Sequence, residues 1–285
     1  MARRRGGKDG VEPGDVAPRA PTIIPADRLP PGFAEQVERP TSDPAPAKPA
    51  ATAVLMRDAA GSTEVLLLRR HRSSGFVPGA YVFPGGRVDD ADADPELLAW
   101  TRGVPPAAAP AAYAFAAIRE VFEETGVLLA VDEPGAPPPD DDEDPALGEW
   151  REALLVDRAT LMDVLRATGR RLAADALVHI AHWITPVAEP RRYDTRFFLA
   201  GLPPGCSTRA DAREMTDERW IRPADALDEF HAGRLPMVFP TVRTIELLAP
   251  FPTVAEAVAA LRGRTVEPVQ PRLVRTPEGV GLVVD

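Results

Sequence analysis

The chain has 285 residues, 45% hydrophobic and 27% charged, enough to bury one large core or two smaller ones, which excludes a mini-protein and wholesale disorder. Its formal net charge is 33 − 43 = −10, so no global positive field exists to hold a nucleic-acid backbone, and an anionic ligand must be met locally or through a metal. The single cysteine, Cys206, excludes an intrachain disulfide framework and fits a reducing compartment.

No apolar run approaches the roughly 18 residues that suggest a membrane span. The basic start Met1–Lys8 is followed by Asp9, Glu12 and Asp15 where a secretion signal would be apolar, so the expectation is a cytoplasmic protein with neither membrane nor nucleic acid as partner. Ten of the 33 prolines fall within residues 1–50, and residues 1–48 read as a Pro-rich, disordered tail in which Ile23, Ile24 and Phe33 could dock. The main domain is expected over 49–265, with 266–285 as a tail or hairpin.

Thr52–Met56 and Glu64–Arg69 are apolar runs flanking a turn at Gly61, which predicts a strand pair. Tyr81–Phe83 predicts a third strand stopped by a turn at Pro84-Gly85-Gly86. From Ala111 to Thr125, residues Ala111, Ala114, Phe115, Ile118, Val121 and Phe122 follow helical spacing, with Gly126 as the C-terminal glycine. Val127–Val131 reads as a strand, and Asp132 to Pro145, with seven acids and no base, as a solvated loop. Helical segments are expected over 147–168, strands over 178–184 and 196–200, helices over 223–232 and 241–262, and a hairpin across Pro277-Glu278-Gly279. Strands and helices intermix, giving an α/β or α+β class.

Glu120, Glu123 and Glu124 stand at i, i+3 and i+4, so they share a helix face opposite Ile118, Val121 and Phe122. Like charges at that spacing cost about 0.2–0.5 kcal/mol per pair, and acids near a helix C-terminus oppose the macrodipole by about 0.3–1 kcal/mol each. A solvated charged face is the ordinary explanation of such a cluster. A divalent cation is the other, because a hard ion such as Mg2+ binds carboxylate oxygens, turns repulsion into attraction and recruits phosphates. The Gly85-Gly86 turn alone is ordinary punctuation, but in the order strand, glycine turn, acidic helix its backbone could approach the same ion and phosphate.

Gly86, the acid Asp92, and Arg119-Glu-Val-Phe-Glu-Glu-Thr-Gly-Val127 resemble the Nudix box, G-x5-E-x7-R-E-U-x-E-E-x-G-U with U apolar. The last nine positions match throughout. The front half departs from the pattern: Asp92 replaces Glu, and 26 residues rather than seven precede Arg119, so 26 − 7 = 19 residues, about 93–111, form an insertion. Leu66–Arg70, Gly79 and Phe83–Gly86 resemble the signature preceding the box in coenzyme A diphosphatases, with Gly75 and His71 departing from it. With Trp183–Pro186 and Arg192–Phe198, the resemblance is greatest to the acyl-coenzyme A diphosphatase branch.

The resemblance implies an α/β/α sandwich with a mixed central sheet between helices. It implies Mg2+ or Mn2+ held by Glu120, Glu123, Glu124 and the Gly86 carbonyl, with Arg119 orienting a ligand carboxylate; surface pairing with Glu123 is the plain alternative for Arg119. Glu123, Glu124 and Arg119 are the expected catalytic residues, and Glu124, Glu214 and Glu218 are candidate bases. Arg70, Gly85, Arg192 and Arg196 are expected to contact a small-molecule nucleoside diphosphate derivative, while Arg192 and Arg196 could equally balance nearby acids. The implied reaction is hydrolysis of the phosphoanhydride of coenzyme A or acyl-coenzyme A. A nucleotide sugar, dinucleotide or dinucleoside polyphosphate is the alternative substrate, and a non-catalytic Nudix-fold regulator the alternative function. The oligomeric state stays open, a homodimer included. His179 and His182 read as packed or surface histidines rather than metal ligands.

Overall fold

The computed structural model describes residues 22–25, 37, 43–73, 77–103, 105–106, 110–132 and 144–284. The strands in chain order are β1 (Thr22–Pro25), β2 (Lys48–Ala59), β3 (Ser62–Arg70), β4 (Tyr81–Val82), β5 (Gly85–Arg87), β6 (Ala130–Val131), β7 (Arg171–Leu172), β8 (Val178–Ile184), β9 (Tyr193–Gly201), β10 (Met215–Ile221), β11 (Pro268–Val269), β12 (Arg272–Thr276) and β13 (Gly279–Val283). The helices are α1 (Ala111–Thr125), α2 (Pro145–Leu154), α3 (Leu161–Thr168), α4 (Pro223–His231), α5 (Phe239–Leu248) and α6 (Val254–Leu261). Contacts divide the chain into two units, Ser42–Gln270 and the pair of terminal segments Met1–Thr41 with Pro271–Asp285. In the terminal unit, β1, β13 and β12 form a three-stranded antiparallel sheet. Most of the expected N-terminal tail and all of the acidic stretch 133–143 lie outside the described residues.

The larger unit is built on a sheet in the order β10-β3-β2-β9-β8-β11, with β4 added to β3 and β5 to β2. The sheet is mixed: β2 and β9 run parallel, as do β8 and β11, whereas β2–β3, β3–β10, β8–β9 and β2–β5 are antiparallel. Strand β2 has no polar face because both sides are covered. Its Ala51, Ala53 and Leu55 meet Phe115, Ile118, Val121 and Phe122 of α1 in one core cluster. Its Val54 and Met56 turn the other way, into a second cluster with Ala226 of α4, Ile245 and Leu248 of α5, and Ala257 and Leu261 of α6. The period-two alternation of one strand thus builds both layers of an α/β/α sandwich.

The β2–β3 hairpin turns at Gly61, whose φ of +73° suits glycine, and α1 ends at Gly126 with φ 80°. The helical stretch expected over 241–262 is two helices, because Pro250 and Pro252 interrupt the backbone N–H series and the Thr253 side chain restarts it by accepting from Glu256 N. Only Ala130–Val131 of the strand expected at 127–131 pairs, with β7. The unexpected element is β10. Thr216, Asp217, Glu218 and Arg219 give Met215–Ile221 the polarity of a loop, yet it pairs with β3 at the sheet edge, where charged side chains guard an open strand.

Candidate active site

Packing of the apolar face of α1 on the sheet decides where the acids go. Burial of Phe115, Ile118, Val121 and Phe122 leaves Glu120 beside strand β5. Gly85 and Gly86 do not form the expected turn: they are the first two residues of β5 and pair with Thr52 and Ala51 of β2. Their need for glycine is close approach. A Cβ on Gly86 would lie 2.3 Å from Glu120 Oε1, and one on Gly85 would lie 2.5 Å from the Ala51 carbonyl oxygen. The Gly85 amide donates to Glu124 Oε2 at 3.1 Å, so Gly85, expected to contact substrate, spends its N–H on holding the acidic helix. Gly85→Ala meets backbone rather than a flexible side chain and is expected to lower stability by about 1–3 kcal/mol, read as a shift in denaturation midpoint.

Arg119 is the hub of the acidic cluster. Its Nε and Nη2 meet Asp92 Oδ1 and Oδ2, each at 3.0 Å, Nη1 donates to Glu120 Oε1 at 2.9 Å and Glu123 Oε2 at 3.1 Å, and Nη2 also reaches the Arg87 carbonyl at 2.8 Å. With 8% of Arg119 and 1% of Asp92 exposed, the plain surface-pair reading of Arg119 fails. Asp92, whose distance from Arg119 in sequence made it a poor match to the motif, sits in a short 3-10 turn (Asp90–Ala93) and also accepts from the Asp89 N–H at 2.9 Å. The insertion after it folds away through a second 3-10 turn, Pro95–Leu98, with Leu97 buried in the core.

Burial raises all three glutamates. Glu120 is pushed up to about 7, with Arg119 opposing and Glu123 adding to the rise. Glu123 is raised by burial against the pull of Arg119. Glu124, 5% exposed, is raised well above the carboxylate range by burial and then by the charge of Glu120, opposed by the Gly85 amide and Arg70. Burial alone would lower Arg119, but its bonds to Asp92 and the neighbouring acids leave it raised. Arg119 is one guanidinium among four carboxylates, Asp92, Glu120, Glu123 and Glu124, so negative charge exceeds positive in the cluster. The set, three carboxylates with backbone oxygen nearby, is that of a hard, oxygen-seeking divalent cation. Among the described residues no three acidic, His or Cys side chains converge on one point as a finished cage, and Arg119 draws Glu120 and Glu123 onto its own guanidinium.

The other expected residues divide. Arg70 lies within electrostatic reach of Glu124, as does Glu214. Arg196 of β9 is opposite Ala51 of β2, which is opposite Gly86 of β5, about two strand spacings, ~10 Å, from the glycine. It lies 3.6 Å from Asp194 Oδ1 and 5.1 Å from the centre of the Tyr113 ring. Arg192, expected as a phosphate contact, is instead a buried strut, because Nε, Nη1 and Nη2 bond Thr185 O, Ala45 O and Gln270 Oε1. Glu218 likewise accepts from Thr208 Oγ1 at 2.9 Å and from the Ala210 N–H at 2.6 Å, which leaves it a loop anchor and not a free base.

His182 Nε2 lies 2.6 Å from Asp194 Oδ1. His179, 4% exposed, packs on Phe198 with neither ring nitrogen in a side-chain hydrogen bond. Burial, with the charges of Arg196 and His182, lowers its pKa to about 4. The unfolded chain then takes up a proton below about pH 6.5 that the folded chain refuses, so stability falls as pH drops from about 6.5 to 4 and the loss levels off below that. At pH 5 the effect is about 2 kcal/mol. His179→Leu is expected to remove this part of the acid sensitivity, read as the difference between wild-type and variant denaturation midpoints at pH 7 and pH 5.

The sandwich and the glycine-backed glutamate helix define an α/β/α scaffold that carries a carboxylate-rich site at the edge of strand β5. The profile of the NUDT19 Nudix domain matches residues 104–248. A solved Nudix hydrolase from Alicyclobacillus acidocaldarius is 32% identical, superposes with a TM-score of 0.65 and is covered over 97% of its length by 76% of this chain. The Gallus gallus protein named acyl-coenzyme A diphosphatase NUDT19 is 32% identical over 220 residues, and its Xenopus laevis counterpart 26% over 244. Those matches take in 60% and 72% of this chain and 57% and 64% of the two relatives, so the chain spans less than two thirds of their length. The chain belongs to the Nudix hydrolases, in the NUDT19 Nudix domain family. Members of this superfamily generally use divalent cations. Among the described residues no helix is long and apolar enough to cross a membrane.

Proposed function

We propose that this chain is a diphosphatase that cleaves the phosphoanhydride of coenzyme A or acyl-coenzyme A with Mg2+ or Mn2+ held by Glu120, Glu123, Glu124 and the Gly86 carbonyl. The observation that carries this reading is a buried Glu124 with half-buried Glu120 and Glu123 on one end of α1, Glu120 lying against a glycine that leaves no room for a Cβ. Arg119 offsets only part of the charge of such a cluster, and a divalent cation would offset the rest. When bound, the ion neutralises phosphate charge and lowers the pKa of a water. Arg119, fixed by Asp92, orients Glu120 and Glu123. Glu124, whose Oε2 accepts from the Gly85 amide, is the acceptor assigned to the proton that water gives up. Arg70 and Arg196 bring positive charge to the phosphates of a nucleoside diphosphate derivative.

The substrate rests on the relatives named acyl-coenzyme A diphosphatase. Water adds across the anhydride, and adenosine 3′,5′-bisphosphate and a phosphopantetheine leave. The catalytic body spans about residues 49–265, and the net charge and lone cysteine suit the cytoplasm. The test is product release from coenzyme A, acyl-coenzyme A, 3′-dephospho-coenzyme A, nucleotide sugars and dinucleotides with Mg2+, Mn2+ or chelator. Cation-dependent cleavage of the coenzyme A compounds with the highest kcat/KM is the expected result. A preference for a nucleotide sugar or dinucleotide overturns the substrate, and absence of any turnover by folded protein overturns the enzyme in favour of a ligand-binding regulator.

A further inference from the structure

The C-terminal end of α1 is closed by Gly126 and by three groups that lie outside the acidic motif. A helix leaves its last four carbonyl oxygens without intrahelical partners. Gly126 N–H donates to Phe122 O at 2.9 Å, Asp211 N–H to Glu124 O at 2.9 Å and Arg209 N–H to Thr125 O at 2.8 Å. The remaining carbonyl, that of Glu123, accepts from Nε of Arg151 in α2 at 2.9 Å. Nη2 of Arg151 donates to Arg209 O at 2.8 Å, so one guanidinium fastens α2, the end of α1 and the loop before β10 together. The loop is held from its far side by Glu218, which accepts from Thr208 and Ala210, while Trp220 Nε1 donates to Thr208 Oγ1 at 2.9 Å.

Only 4% of Arg151 is exposed, and burying a cation is costly unless its surroundings repay it. Here it sits at the negative pole of α1, beside the turn where Glu120, Glu123 and Glu124 crowd. Every carbonyl of the turn that carries Glu123 and Glu124 is thereby committed, and that turn cannot fray without breaking bonds to α2 and to the loop. Two glutamate side chains on a frayed turn would have to be ordered each time an ion arrived, whereas on a closed turn that ordering is already complete.

We propose that Arg151 is a positioning residue for the cation site: from α2 it locks the last turn of α1 and so keeps Glu123 and Glu124 ready for a divalent ion, without touching the ion or the substrate. This rests on the cation reading of the previous section. A merely structural Arg151 would lower stability and leave the affinity of the folded protein for metal unchanged; a positioning Arg151 changes that affinity.

The experiment compares the 285-residue wild-type chain, Arg151→Met and Arg151→Lys by calorimetric titration with Mn2+, alongside thermal melts in chelator and kcat/KM at saturating Mn2+. The expected result is Mn2+ affinity weakened about 10- to 100-fold in Arg151→Met at temperatures where the melt shows it folded, with Arg151→Lys between it and wild type. Equal Mn2+ affinity in folded wild type and Arg151→Met overturns the proposal. If Arg151→Met does not fold, Arg151→Lys decides, since unchanged Mn2+ affinity there overturns it and a loss supports it. Wild type that neither binds Mn2+ nor turns over any diphosphate instead sinks the cation reading itself, and this proposal with it.

Discussion

Glu124→Gln is expected to cut kcat by about three orders of magnitude while leaving the metal-free protein as stable as wild type or more so. The two effects come from one fact, the burial of a carboxylate next to Glu120. As a ligand or proton acceptor, Glu124 contributes only when charged, and loss of a group of this kind costs several kcal/mol of barrier, on the order of 1000-fold in rate. As a buried anion without its ion, it costs the fold energy. Its folded pKa is raised, so the ionised form is disfavoured in the native state, and stability rises as pH falls through that pKa towards the unfolded value. Glutamine removes the charge and keeps an oxygen for the Gly85 amide. Melting in chelator at pH 8, paired with product release in Mg2+, reads both effects. A variant that loses both activity and stability would mean that Glu124 is an ordinary structural residue.

Asp92→Ala is expected to lower stability by about 3 kcal/mol, near the lower end for breaking a buried ion pair because Glu120 and Glu123 still face the guanidinium. Two hydrogen bonds to Arg119 and the one from Asp89 are lost together. Activity should fall about 10- to 100-fold, the usual cost of removing a group that orients metal ligands. A double-mutant cycle with Arg119→Met separates pairing from packing: if the two losses simply add, the Asp92–Arg119 bond carries no coupling and its orienting role is wrong.

How far the site could be read from the chain depends on whether its causes are local. The glutamates of α1, their shared face and the glycine that ends the helix all follow from spacing within one element. Asp92 does not, because its partner is 27 residues away and the two meet only in the folded chain, where Asp92 sits in the 3-10 turn Asp90–Ala93. Arg192 and Arg196 look alike in sequence, yet one is consumed by acceptors at residues 45, 185 and 270 while the other stands in the row of Gly86. Residues 85 and 86 carry a turn signature, and it is pairing with Ala51 and Thr52 that extends them as a strand. Strand β10 is invisible to an apolar pattern because an edge tolerates charge. The mixture of strands and helices is legible in the chain and the α/β/α sandwich follows from the resemblance to the Nudix box, whereas the covering of both faces of β2 is seen only in the fold.

The parallel contact between β2 and β9 sets the order in which the protein can be made. Lys48 lies opposite Tyr193, a separation of 193 − 48 = 145 residues, so the middle of the sheet closes only once Tyr193 has followed Lys48 out of the ribosome. The acidic helix emerges well before the strand that completes its platform, and contacts this distant form slowly. During synthesis the nascent chain therefore carries Glu120, Glu123 and Glu124 on a helix whose sheet platform is still open.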